Sequence, residues 1–152
     1  MRRGSVGSSG GDEERAQGFT LLELVIALAI TAIVAAFALP AYHAQIARGH
    51  RTDAIAAIYR AAQFIDSAPP DTDTLPAGVD QAPQSGTAVY RLTVSRGDEA
   101  NGGYVIDARP VEAGPMRDDP CGAFRLDATG VRTNAPPGDA IAPTSGACWG
   151  DR

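Results

Sequence analysis

One acidic side chain, Glu23, sits in an otherwise apolar run, FTLLELVIALAITAIVAAFALPA, over residues 19–41. An ionised side chain at the centre of a bilayer costs roughly 2.5 to 3.5 kcal/mol on insertion scales, and less near the interface, so this carboxylate calls for a cationic partner. His43 and His50 stand seven apart on one helical face. No Cys, Asp or Glu at ligand spacing completes a zinc set with them, and no metal is expected. No glycine motif opens a helix to cradle phosphate, no G-x-S-x-G is present, and no Cys/His pairing would activate a nucleophile. No catalytic residue and no cofactor are therefore expected. Acid pairs at Asp71/Asp73, Asp98/Glu99 and Asp118/Asp119 have the chemistry to recruit calcium, but as loop carboxylates they read as solvated charge. Arg91, Arg96, Arg109, Arg117, Arg125 and Arg132 have the chemistry to hold a polyanion, and they read as dispersed surface charge.

The chain of 152 residues, 44% hydrophobic and 20% charged, has room for one modest domain and one membrane-length segment. Its thirteen basic residues, all Arg, stand against eighteen acids, for a net charge of -5. That is the wrong sign for a general polyanion binder, so nucleic acid is not the default partner. Cys121 and Cys148, the sole cysteines, lie in a Gly/Pro-rich region on the exported side of the apolar run and read as one disulfide.

As a helix the 23 residues from Phe19 to Ala41 span about 34 Å, enough to cross a hydrocarbon core of about 30 Å. Two readings compete: a retained anchor, or a secretory signal peptide cut at Ala36-Phe37-Ala38. The leader sets Arg2, Arg3 and Arg15 against Asp12, Glu13 and Glu14, a sum of zero where a secretory leader is positive. The run also exceeds the usual signal core, and retention is favoured. Pro40 removes one backbone donor and should bend or loosen the helix before it. Helical patterning resumes over 41–67, with Ile55, Ile58, Ala62 and Ile65 as an apolar stripe, and stops at Ala68-Pro69-Pro70-Asp71. Residues up to Gly86 read as a surface connection. Strands are expected at 88–94 and 104–108, joined around Asn101-Gly102-Gly103, and at 123–126 with a return at 131–133. One long helix followed by an antiparallel meander of three or four strands is an α+β order. Closing the 28 residues from Cys121 to Cys148 is worth about 3.6 kcal/mol in chain entropy.

Gly18-Phe19-Thr20-Leu21-Leu22-Glu23 resembles the class III signal peptide of type IV prepilins and pseudopilins at every core position. The resemblance implies a pilin fold and four segments: a leader, 1–18; a transmembrane and polymerisation helix, 19–41; an amphipathic helix half, 42–67; and a periplasmic or extracellular sheet head, 68–152. It implies a prepilin peptidase/methyltransferase that cuts between Gly18 and Phe19 and N-methylates Phe19. Glu23 becomes the fifth residue of the mature chain and pairs with the Phe19 ammonium of a neighbouring subunit. Two buried charges offset each other's desolvation only if they meet, which agrees with that role. Pro40 falls where many pilins carry a helix-bending proline. The Cys121 to Cys148 stretch is similar to the disulfide-bounded D-region, and Cys121-Gly122-Ala123-Phe124-Arg125-Leu126-Asp127 with Cys148-Trp149 resembles a group of minor pilins. The implied partners are other pilin subunits, the processing enzyme, an inner-membrane assembly platform and, before assembly, the lipid bilayer. The implied location is the inner membrane, single-pass, and then the pilus surface. A minor pilin is expected, with a type II secretion pseudopilin and a DNA-binding pilin of an uptake system as alternatives. Nucleic acid is the less expected partner, because beyond Gly18 ten Arg face fifteen acids. A secreted enzyme starting at Leu39 is the reading from outside the family.

Overall fold

A computed structural model describes residues 18–138, 141 and 143–150. The expected leader lies outside the described residues apart from Gly18. The chain divides into two units between Leu39 and Pro40.

Helix α1, Leu21–Ser67, supplies the regular structure of the first unit and continues into the second, its helical conformation unbroken through Pro40. Thr20 starts it: its Oγ1 accepts from the Glu23 N–H at 3.2 Å and its carbonyl from the Leu24 N–H at 3.2 Å. Thr20-x-x-Glu23 is thus also a helix-start pattern, with an acid in the first turn where the helix dipole favours it. Thr31 donates its hydroxyl to the Ala27 carbonyl at 2.8 Å, so this polar group needs no outside partner in an apolar medium. Every large apolar side chain from Leu21 to Leu39 is exposed. Among the described residues α1 is the helix long and apolar enough to cross a membrane.

The second unit carries a five-stranded antiparallel meander: β1 Gln81–Ala82, β2 Tyr90–Arg96, β3 Tyr104–Pro110, β4 Ala123–Asp127 and β5 Arg132–Ala135, in spatial order. Three or four strands were expected. The extra one, β1, is two residues long within a stretch of Pro, Asp, Thr and Gly, too short to show alternation. Asp98 closes the β2–β3 hairpin by capping a single 3-10 turn, Glu99–Asn101, ahead of a left-handed Gly102. In the β4–β5 turn the Thr129 hydroxyl, followed by backbone N–H groups, holds the Asp127 carboxyl below the usual carboxylate range. A short helix, α2 Ser145–Trp149, follows the sheet and was not anticipated.

Residues at alternate positions of β2, β3 and β4 face α1: Tyr90 and Leu92, Ile106 and Ala108, Phe124 and Leu126, all buried. The helix meets them with Ala54, Ala57, Ile58 and Ala61, whereas the expected stripe of Ile55, Ala62 and Ile65 is only half-buried. The buried face is therefore turned by about one residue. Small alanines let large rings fill the space from the sheet side, and they carry little hydrophobic signal of their own. Tyr90 meets Phe124 edge-on at 5.9 Å, and Phe124 meets Trp149 at 5.4 Å, which draws α2 into the core.

Candidate functional site

The residues expected to guide processing and assembly lie in the first unit. Gly18 and Phe19 precede α1 and are exposed, Phe19 by 81%. Glu23 belongs to the first helical turn through its backbone, and among the described residues its carboxylate has no recorded cationic partner. Around it the helix offers apolar side chains on all sides.

In the second unit Cys121 and Cys148 form the expected disulfide, Cα to Cα 5.7 Å. Asp119 prepares its near end: one carboxylate oxygen accepts from the Cys121 N–H at 3.0 Å while the group grips Arg51 of α1 through three contacts of 2.6 to 3.2 Å. Only 5% of the Asp119 side chain is exposed, against 21% for Arg51. Gly122, at φ +56°, is required here, because a side chain would run into the Ala135 carbonyl oxygen. Two of the three acid pairs have members engaged in holding the head together. Asp119 binds Arg51, Asp118 binds Arg117 at 2.8 Å, and Asp98 caps its turn. Asp71 and Asp73 make no side-chain hydrogen bond or ion pair among the described residues.

The arginines are less dispersed than expected. Register pairs Arg91 with Arg109 and Asp107 with Arg125, so Arg91, Arg109 and Arg125 share the face of the sheet turned away from α1. Arg125 is tied to Asp107 by two bonds of 2.9 and 3.3 Å, and Arg91 to Asp80 by one of 3.2 Å. Arg109, between them, is exposed and has no carboxylate partner among the described residues. Arg96 and Arg132 point to the other face, the first donating to the Pro70 carbonyl at 3.4 Å and the second lying over the Trp149 ring at 5.6 Å. Arg117 sits on the β3–β4 loop at the margin of a recess of about 330 Å³ that also takes in Arg109, Glu112, Ala123 and Ala135. Alternation within each strand would have shown Arg91 and Arg109 pointing outward, because Leu92 and Ala108 point in. Their juxtaposition needed the strand register.

An uncovered apolar helix with a carboxylate in its first turn, joined to a helix-on-sheet head closed by a C-terminal disulfide, defines a pilin-type subunit. Residues 15–39 match the prokaryotic N-terminal methylation motif. Residues 40–125, more than half of the chain, match the family described as type IV minor pilin ComP, DNA uptake sequence receptor, and the chain belongs to that family. It is a type IV pilus minor pilin, of a class of structural proteins that assemble with other pilins after prepilin peptidase processing. The two matches meet where the two units divide. The second ends at Arg125, inside β4, so β5, α2 and Cys148 lie beyond it.

Proposed function

We propose that the chain is cut between Gly18 and Phe19, N-methylated at Phe19 and held in the inner membrane by residues 19–41 with its head in the periplasm. It is then drawn into a type IV pilus as Glu23 meets the Phe19 ammonium of a neighbouring subunit, and its head takes up duplex DNA. Pro40 leaves the Ala36 carbonyl without its helical donor, a place where the helix can bend on assembly. Mass spectrometry of the mature N-terminus tests the processing step: methylated Phe19 is expected, and Leu39 would overturn it.

The DNA reading reverses the expectation drawn from net charge, and one observation carries it. Arg91 and Arg109 stand directly opposite each other on an open sheet face, an arrangement that disfavours the sheet by a few tenths of a kcal/mol or more. Asp80 answers Arg91 in part, which leaves Arg109 as the open charge of the pair; local rules of this kind are broken at functional sites, here one that suits an anion. The family description supports DNA as that anion. Net charge is a weak guide here, because phosphate contacts depend on local arginines. The full chain in neutral detergent micelles should retain duplex DNA at low salt and release it as salt rises. Replacing Arg91 and Arg109 together with Ala should lower the slope of log affinity against log salt by about one to two. An absence of retention at low salt would reject DNA as the ligand.

A further inference from the structure

The recess beside Arg109 carries a second unmatched charge. Glu112 lies two residues beyond the end of β3, exposed, and among the described residues it has no recorded basic partner. Arg109 and Glu112 line one recess without forming an ion pair with each other. The recess is also lined by Ala123 and Ala135, paired across β4 and β5, and by Pro110. A backbone phosphate presents acceptors only, and Glu112 would repel it. A base-pair edge suits the recess better, because guanine O6 and N7 accept from Arg, cytosine N4 donates to Glu, and the thymine methyl takes apolar contact. Phosphate contacts set position and carry no sequence information, so a receptor of a DNA sequence needs side chains of this other kind.

Resting on the DNA reading above, we propose that Glu112 is a base-reading residue. Its carboxylate accepts from the exocyclic amine of a cytosine while Arg109 donates to the neighbouring guanine acceptors, and Arg91 and Arg125 hold the backbone. Arg109 therefore divides its role between positioning and reading, and Glu112 can only read.

The test measures affinity of the full chain in detergent micelles for duplexes in which one base pair at a time is changed through all four possibilities at fixed salt. Wild type should lose about five- to a hundredfold on replacement of one C·G pair. Glu112→Ala should flatten the preference at that pair alone. Glu112→Gln should move it toward A·T, because a Gln amide matches adenine N6 and N7. Glu99→Gln removes the same charge at the other end of the sheet and should leave the preference intact. Equal melting temperatures for the variants and wild type confirm that the fold is retained. If Glu112→Ala and Glu112→Gln tighten binding to every duplex alike, with the preference unchanged, Glu112 merely repels DNA and the inference is wrong. Wild type that binds all duplexes equally also overturns it, while leaving the DNA reading in place. A chain that binds no duplex overturns both.

Discussion

Arg51 and Asp119 show how one ion pair locates a whole segment. The carboxylate fixes the guanidinium of α1 and the backbone next to Cys121 together, so the helix and the start of the disulfide loop share an anchor. Removing one member of a largely buried pair leaves an uncompensated charge, and Asp119→Ala should destabilise the head by about 3 kcal/mol. Thermal unfolding would register this as a fall in Tm of about 10 °C or more. The double change Arg51→Met with Asp119→Leu should recover much of that loss. Tyr104 gives a pH signature. Burial, then a 2.8 Å hydrogen bond to Asp66, pushes its phenol up to about 12 from the ordinary 10. The folded state therefore keeps a proton that the unfolded chain releases. The stability linked to Tyr104 is whole below about pH 10 and is lost as pH rises through about 12. Tyr104→Phe should make denaturation midpoints fall less steeply over that range. Tyr90, whose phenol burial also pushes well above its ordinary value, keeps a remainder of the slope.

At the scale of elements, packing between helix and sheet rests on small side chains. Ala57 and Ala61 are fully buried against a sheet that contributes Tyr90 and Phe124. Enlarging either to Leu should cost about 1 to 3 kcal/mol through overpacking, whereas Ala56→Leu, at an exposed position, should cost little. A denaturant titration of each variant distinguishes the two sites. The same alanines explain why the helix face was misplaced from sequence. Long apolar or alternating patterns were legible: the apolar first half of α1, the four longer strands and the end of the helix at Ala68-Pro69-Pro70 all fell close to where they were expected. A face built of Ala lacks contrast with Ala on its neighbouring faces, so the stripe was placed one residue off. β1 and α2 are too short for any period to show. The disulfide and the motif at Gly18 were legible because their residue types are rare and specific. The arginine face was not, because it exists only once β2, β3 and β4 are in register.

For the whole molecule, the proposed fate depends on two positions in the first unit. Gly18 replaced by a bulky residue should leave full-length precursor in the membrane fraction and no subunit in sheared pili. Normal processing of that variant would refute the cleavage assignment. Glu23→Ala should be processed and still be missing from pili, because the fault then lies in docking and not in cutting. The Cys121–Cys148 bond belongs to this scale too. It encloses β4, β5 and α2 up to Cys148, and without it the head forfeits about 3.6 kcal/mol of chain-entropy stabilisation. In the proposed topology the anchor precedes the head along the chain, so the head must be threaded across the membrane behind it. Thiols stay reduced in the cytoplasm and are oxidised beyond it. In that topology the bond would work as a clock as well as a staple: a slack head before translocation, which a channel can pass, and a locked one afterwards, ready to be lifted into a filament.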